Sequence, residues 1–183
     1  MKTSTFISTI TMAFLMLISF NANAQKFPDL DKSPMDAASF PTNYKDSEKV
    51  IKIVYSRPNL KDREVEKLVK KDDIWRVGAN EAAELTLYKD LMFGDTVVTA
   101  GTYTFYIKSN GNEWTAIISK DLNVWGSYFY KQDNDVARFT TKKTESKEII
   151  EAFSIVFEES KGAINMHLGW GNSRATFPFN LIK

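Results

Sequence analysis

Between Asp73 and Leu85 the chain reads Asp-Ile-Trp-Arg-Val-Gly-Ala-Asn-Glu-Ala-Ala-Glu-Leu, and no other stretch gathers so many side chains able to stack, fork or brace. Arg76, like Arg57 upstream, offers a planar guanidinium fork suited to carboxylates, and Glu81 and Glu84 are carboxylates of that kind. Gly78 permits a left-handed or closely approached backbone, and Asn80 can brace a turn through its own amide. Three chemistries fit these residues. One is an internal network of ion pairs and turns. A second is a ligand pocket with Trp75 as stacking wall and Arg76, Asn80 and Glu81 as polar contacts. The third uses Glu81 and Glu84 as an acid/base pair, although two carboxylates near each other recur by accident. The network is the reading taken, because the segment sits where a helix must lock onto the first strands.

Elsewhere the chemistry is bounded by what is missing. There is no cysteine, so an exported chain would have no disulfide framework, no thiolate nucleophile and no thiolate metal site. A single histidine, His167, rules out histidine-rich zinc sites and two-histidine facial triads within one chain. Its strand parity sets it on the face opposite Met166 and Leu168, away from the core. No D-x-D-x-D-G loop, G-x-S-x-G elbow, Walker loop or dinucleotide fingerprint occurs, so no metal, cofactor or catalytic residue is assigned. The aromatic run Trp125-Gly126-Ser127-Tyr128-Phe129-Tyr130 could stack on sugar rings or peptide aromatics, or close an open end of the fold; closure is the reading taken. Charge is balanced, with 24 basic against 23 acidic residues, and gives no electrostatic case for a nucleic-acid or anionic-membrane partner.

The N-terminus reads as an export signal. Lys2 supplies a positive start, Phe6 to Phe20 an apolar run, and Ala22-Asn23-Ala24 a small-x-small cleavage site that leaves Gln25 first. Residues 1–24 are thus expected to be a signal peptide, and the mature chain periplasmic or extracellular, with no membrane anchor of its own. Gln25 stands where a lipoprotein would need cysteine.

Residues 25–48, with Pro28, Pro34 and Pro41, are expected to be an extended lead-in. From residue 49 to 183 the pattern is one domain, consistent with a 183-residue chain. Asp62 to Lys71 carries a narrow apolar stripe of Val65, Leu68 and Val69, which predicts the one helix, capped by Asp62 and supported by a Glu66–Lys70 pair. Period-two alternation marks Ile51-Ile53-Tyr55, Leu85-Leu87, Tyr103-Phe105-Ile107, Trp114-Ala116-Ile118 and Phe153-Ile155-Phe157. Further strands are expected at Thr96–Val98, Val136–Lys142, Ile164–Trp170 and Ala175–Leu181, the last bearing Pro178 and so edge or bulged. Gly94-Asp95, Asn110-Gly111 and Lys161-Gly162 supply the turns. About nine short strands and one helix predict an all-β antiparallel β-sandwich, with a closed β-barrel as the alternative.

Tyr55-Ser56-Arg57-Pro58, Lys61-Asp62-Arg63 and Ile74-Trp75-Arg76-Val77-Gly78-Ala79-Asn80-Glu81-Ala82 together resemble the hallmark of a bacterial exported family known as a domain of unknown function. The resemblance runs from about Lys49 to the end, and W-R-x-G-A-N-E-A is its most specific part. Asp62 stands where such sequences often carry glycine. The family supplies no catalytic residue. The expectation is an exported, non-enzymatic module that binds a small molecule, glycan or peptide. The alternative is a hydrolase-like enzyme with its site at Glu81 and Glu84.

Overall fold

A computed structural model describes residues 25–182. The chain divides into two compact units, one ending at Leu30 and one running from Asp31 onward. Of the first, residues 25–30 are described; they are exposed and without regular structure. The expected signal peptide lies outside the described residues.

The second unit is a two-sheet antiparallel sandwich. One sheet holds β1 (Met35–Phe40), β2 (Ile51–Ser56), β4 (Ala83–Leu87), β7 (Gly101–Ser109), β8 (Glu113–Ser119) and β9 (Asp135–Lys142), in that spatial order, with the two-residue β3 (Ile74–Trp75) also paired to β7. The other holds β10 (Thr144–Ser160), β11 (Ala163–Leu181), β5 (Leu91–Phe93) and β6 (Thr96–Val98). Among the described residues both sheets keep open edges, so the barrel alternative falls. The alternation read from the sequence decides which side faces inward. Ile51, Ile53, Tyr55, Leu85, Leu87, Phe105, Ile107, Trp114, Ala116 and Ile118 from one sheet meet Phe153, Ile155, Met166, Leu168, Phe177 and Phe179 from the other, all buried. Phe105 meets Phe177 edge-on at 6.0 Å, and the buried Tyr55 hydroxyl accepts the Ile155 N–H at 2.9 Å, fixing one sheet against the other.

Three departures from the sequence pattern have local causes. The expected helix over Asp62–Lys71 contracts to one turn, α1 (Val65–Leu68). Lys61 and Asp62 are left-handed (φ 51° and 60°) and Glu64 is extended, so Asp62 cannot cap, and the turn ends at Val69. A left-handed Asp62 is the conformation that favours glycine and that aspartate tolerates better than most residues. Glu66 pairs with the distant Lys143 instead of Lys70.

The stretch expected to be a lead-in contains strand β1, paired with β2 from Met35–Ser56 to Phe40–Ile51. Its Ala-Ala-Ser centre carries little β preference, and its outward edge is half exposed, so alternation could not mark it. Arg57 secures this edge, donating to Asp36 Oδ2 at 3.0 Å, Phe153 O at 3.1 Å and Ser154 Oγ at 2.7 Å.

The strands expected at Ile164–Trp170 and Ala175–Leu181 are one strand, β11. Inward positions are even through Ile164, Met166, Leu168 and Trp170, then odd through Ser173, Ala175, Phe177 and Phe179. The phase slips across Gly171 (φ 54°) and Asn172, as at a bulge, and a slipped phase reads from sequence as two elements. Pro178, which has no N–H to give, lies between the segment registered with β10 and the segment registered with β5.

Candidate functional site

The W-R-V-G-A-N-E-A segment is an excursion from a single strand position. Trp75 lies opposite Ile107, and Ala83 lies opposite Phe105, so β3 and β4 are two pieces of strand laid along the same edge of β7. The chain between them leaves the sheet and returns, closed by the Ala83 N–H donating to Arg76 O at 2.9 Å. Inside the loop Val77 (φ 56°), Gly78 (φ 151°) and Asn80 (φ 60°) hold positive φ. A buried β-branched residue at φ 56° is rare, and the surrounding bonds must over-determine it.

Those bonds come largely from the segment between β8 and β9. Asn80 O accepts the Gly126 N–H at 2.9 Å, Val124 O accepts the Ala82 N–H at 3.0 Å, and Ser127 Oγ donates to Ile74 O at 2.7 Å. Asn80 therefore braces the loop through its main chain, in the left-handed conformation its side chain tolerates.

Trp75 is core. It is 6% exposed, stacks on Trp170 at 5.7 Å and 12°, meets Phe153 at 4.9 Å and Trp114 at 5.8 Å, and donates its indole N–H to Gly78 O at 3.3 Å. Its edge, with Trp170, Leu68, Gly78, Arg63 and Arg76, borders a cavity of about 220 Å³. The Arg76 Nε is buried and has no hydrogen-bond partner among the described residues, and Arg76 enters none of their ion pairs.

The expected Arg76–Glu81–Glu84 network is therefore absent among the described residues. Glu81 and Glu84 are exposed and border a different cavity, of about 230 Å³, with Val54, Thr104, Asn123 and Val124. The four candidate ligand residues are split. Trp75 and Arg76 share the first cavity, Glu81 belongs to the second, and Asn80 borders neither. With no buried partner to strand, Glu81→Ala and Glu84→Ala should each move stability by about 0.5 kcal/mol or less, read as near-unchanged urea midpoints. A loss of several kcal/mol in either would mean a buried ion pair had been overlooked.

The aromatic run is also placed differently from the expectation. Trp125 is 57% exposed, Tyr128 76% and Phe129 75%, so these rings close no end of the sandwich. Only Tyr130 turns in, meeting Tyr106 edge-on at 5.4 Å on the outer side of β7. There its hydroxyl donates to Asp135 Oδ2 at 2.8 Å and accepts from Arg138 Nη2 at 2.6 Å, and Arg138 also pairs with Asp135. Sequence reasoning missed this cluster. Its sole signal was the polar Gln132-Asp133-Asn134-Asp135 loop beside a tyrosine.

Burial, helped by nearby carboxylates and the phenol of its neighbour, pushes the Tyr106 hydroxyl from 10.0 up to about 12. Burial and then the Asp135 hydrogen bond push Tyr130 to about 12 as well. Both groups hold protons more tightly folded than unfolded. Their stabilisation is complete below pH 10 and drains as pH rises toward about 12. Tyr106→Phe should flatten the alkaline limb of a stability–pH curve, and a limb of unchanged steepness would contradict this assignment.

His167 lies on the outer side of the second sheet, with Nδ1 2.8 Å from Thr176 Oγ1 and Nε2 3.5 Å from Glu158 Oε2. Among the described residues no group of three or more His, Cys, Asp or Glu is placed to hold a metal ion, and no helix is long and apolar enough to cross a membrane.

The family described as "Protein of unknown function (DUF2911)" matches residues 33–179. No curated protein and no solved structure matches the chain.

Proposed function

We propose that this chain, which belongs to the DUF2911 family of proteins of unknown function, is an exported, non-enzymatic binding module whose ligand sits in the cavity at Trp75 and Arg76. The observation that carries this reading is Arg76, which borders the cavity while its buried Nε has no internal acceptor among the described residues. A buried donor left unsatisfied costs about 1–3 kcal/mol, and a ligand acceptor would remove that cost. Export is supported by Lys2, the Phe6–Phe20 apolar run and the Ala22-Asn23-Ala24 site.

The hydrolase alternative has one observation in its favour, that Glu81 and Glu84 border the same cavity. An acid/base pair also needs environments that push two carboxyl groups apart, one of them held protonated by burial. Both glutamates stand exposed to water, which supplies no such difference.

Two measurements test the reading. The intact mass of protein recovered from the cell envelope or the medium should lack Met1 to Ala24; a retained leader would overturn export. A melting-temperature screen of small acids, glycans and peptides should find a stabilising ligand that is not turned over. At one hundred times its dissociation constant such a ligand adds about 2.7 kcal/mol, or roughly 5–10 °C for a domain of this size. Turnover of an ester, glycan or peptide that disappears in Glu81→Gln or Glu84→Gln would replace the binding module with the hydrolase.

A further inference from the structure

We infer that the ligand of the Trp75–Arg76 cavity is a small organic carboxylate, its anionic head gripped by Arg76 and Arg63 and its apolar body laid along the indoles of Trp75 and Trp170. The inference rests on the cavity being the ligand site.

Charge is the first argument. Two guanidinium groups border the space and no carboxylate does, in a chain whose basic and acidic residues nearly cancel. An excess of positive charge at this one place therefore belongs to the cavity and not to the surface as a whole. A low-dielectric wall of buried indoles strengthens the field there.

Geometry is the second. Arg63 is already braced, donating from Nε to Leu60 O at 2.7 Å and from Nη2 to Asn59 O at 2.9 Å. That fixes its plane and leaves Nη1 without a partner among the described residues. Arg76 has no ion-pair partner among the described residues, and its buried Nε has no acceptor there. One such fork and one braced end match a planar carboxylate, which takes two parallel bonds on one side and has lone pairs left for a third donor. A phosphate could meet the same donors but has no apolar body to lay along Trp75, Trp170 and Leu68, which line the rest of the space.

Size and polarity are the third. An apolar cavity of about 150 Å³ is enough to bind benzene, so about 220 Å³ has room for a molecule the size of benzoate. The wall beyond the arginines is indole, Leu68 and the Gly78 backbone, which suits an apolar or aromatic body.

The test uses the purified protein with benzoate, phenylacetate and succinate, the uncharged benzamide and phenylacetamide, and inorganic phosphate. Tryptophan emission and melting temperature are the readouts. At least one carboxylate should bind, its amide at least tenfold more weakly. Arg76→Gln should weaken that carboxylate at least tenfold with an unchanged circular dichroism spectrum, and Arg63→Gln should weaken it too. Arg76→Lys, which keeps the charge and loses the fork, should fall between. If Arg76→Gln fails to fold, the acid–amide comparison on the unaltered protein decides alone. An amide binding as tightly as its acid, phosphate binding more tightly than any carboxylate, or silence from all three acids would overturn the inference. A neutral ligand from the wider screen that still needs Trp75 and Arg76 would leave the binding site standing while its anionic character fell. A carboxylate bound equally by Arg76→Gln and Arg63→Gln would overturn both.

Discussion

Gly78→Ala should lower the unfolding free energy by roughly 3 kcal/mol or more, a shift of about 6–12 °C in melting temperature for a domain of this size. Gly78 has φ 151°, which L side chains rarely adopt, and a Cβ built on it would lie 2.9 Å from Ser56 O and 3.2 Å from Ser56 N. Both obstacles are backbone of the buried strand β2, so nothing flexible can swing aside. The loop cannot move either, because Arg76, Asn80 and Ala82 are all engaged in main-chain hydrogen bonds on its two flanks. Gly111 provides the internal comparison. Its φ is 96°, and an added Cβ would have nothing within 4 Å. Gly111→Ala should therefore cost only the backbone strain, about 1–2 kcal/mol. Equal losses in the two variants would show that conformation alone, and not the approach to Ser56, governs position 78.

Trp75→Ala should cost about 3–5 kcal/mol, the range for deleting a large aromatic side chain from a packed core. The indole is in contact with three other aromatic rings and bonds Gly78 O, so its removal opens a void that the stacked Trp170 cannot fill without losing its own hydrogen bond to Glu151 O at 3.2 Å. Trp125→Ala is the contrast, because the 57% exposed indole has little buried surface to lose and should change stability by about 0.5 kcal/mol or less. Denaturant midpoints of the two variants should differ widely while their spectra remain those of a β-sheet protein. Similar midpoints would place Trp75 outside the core, or Trp125 inside it.

These two tryptophans show where local pattern stops being informative. Each sits in a short segment with a glycine close behind it, and neither has strict alternation around it. Trp75 is buried because β3 registers with Ile107 of β7, a residue distant in sequence. Trp125 bridges Glu81 through its main chain while its side chain remains in water. Arg76 presents the same difficulty. A fork and two carboxylates within a few residues read as an ion pair, yet the excursion of the loop sends the arginine to one cavity and the glutamates to another.

The sequence by itself determined the sandwich, because period-two alternation of large apolar residues is a property of the strand and fixes which face must leave water, whatever the strand pairs with. It also marked the Asp73–Leu85 segment as unusual, since glycine and asparagine declare a non-standard backbone locally. Only the tertiary structure decided that this segment is an excursion between two pieces of strand, that β11 is one element with a phase slip, that β1 is a strand at all, and that the candidate residues divide between two cavities. Those outcomes depend on which backbone lies within hydrogen-bond reach after long loops close. Register of that kind is a sum over distant partners and leaves no periodic trace in the residues that obey it.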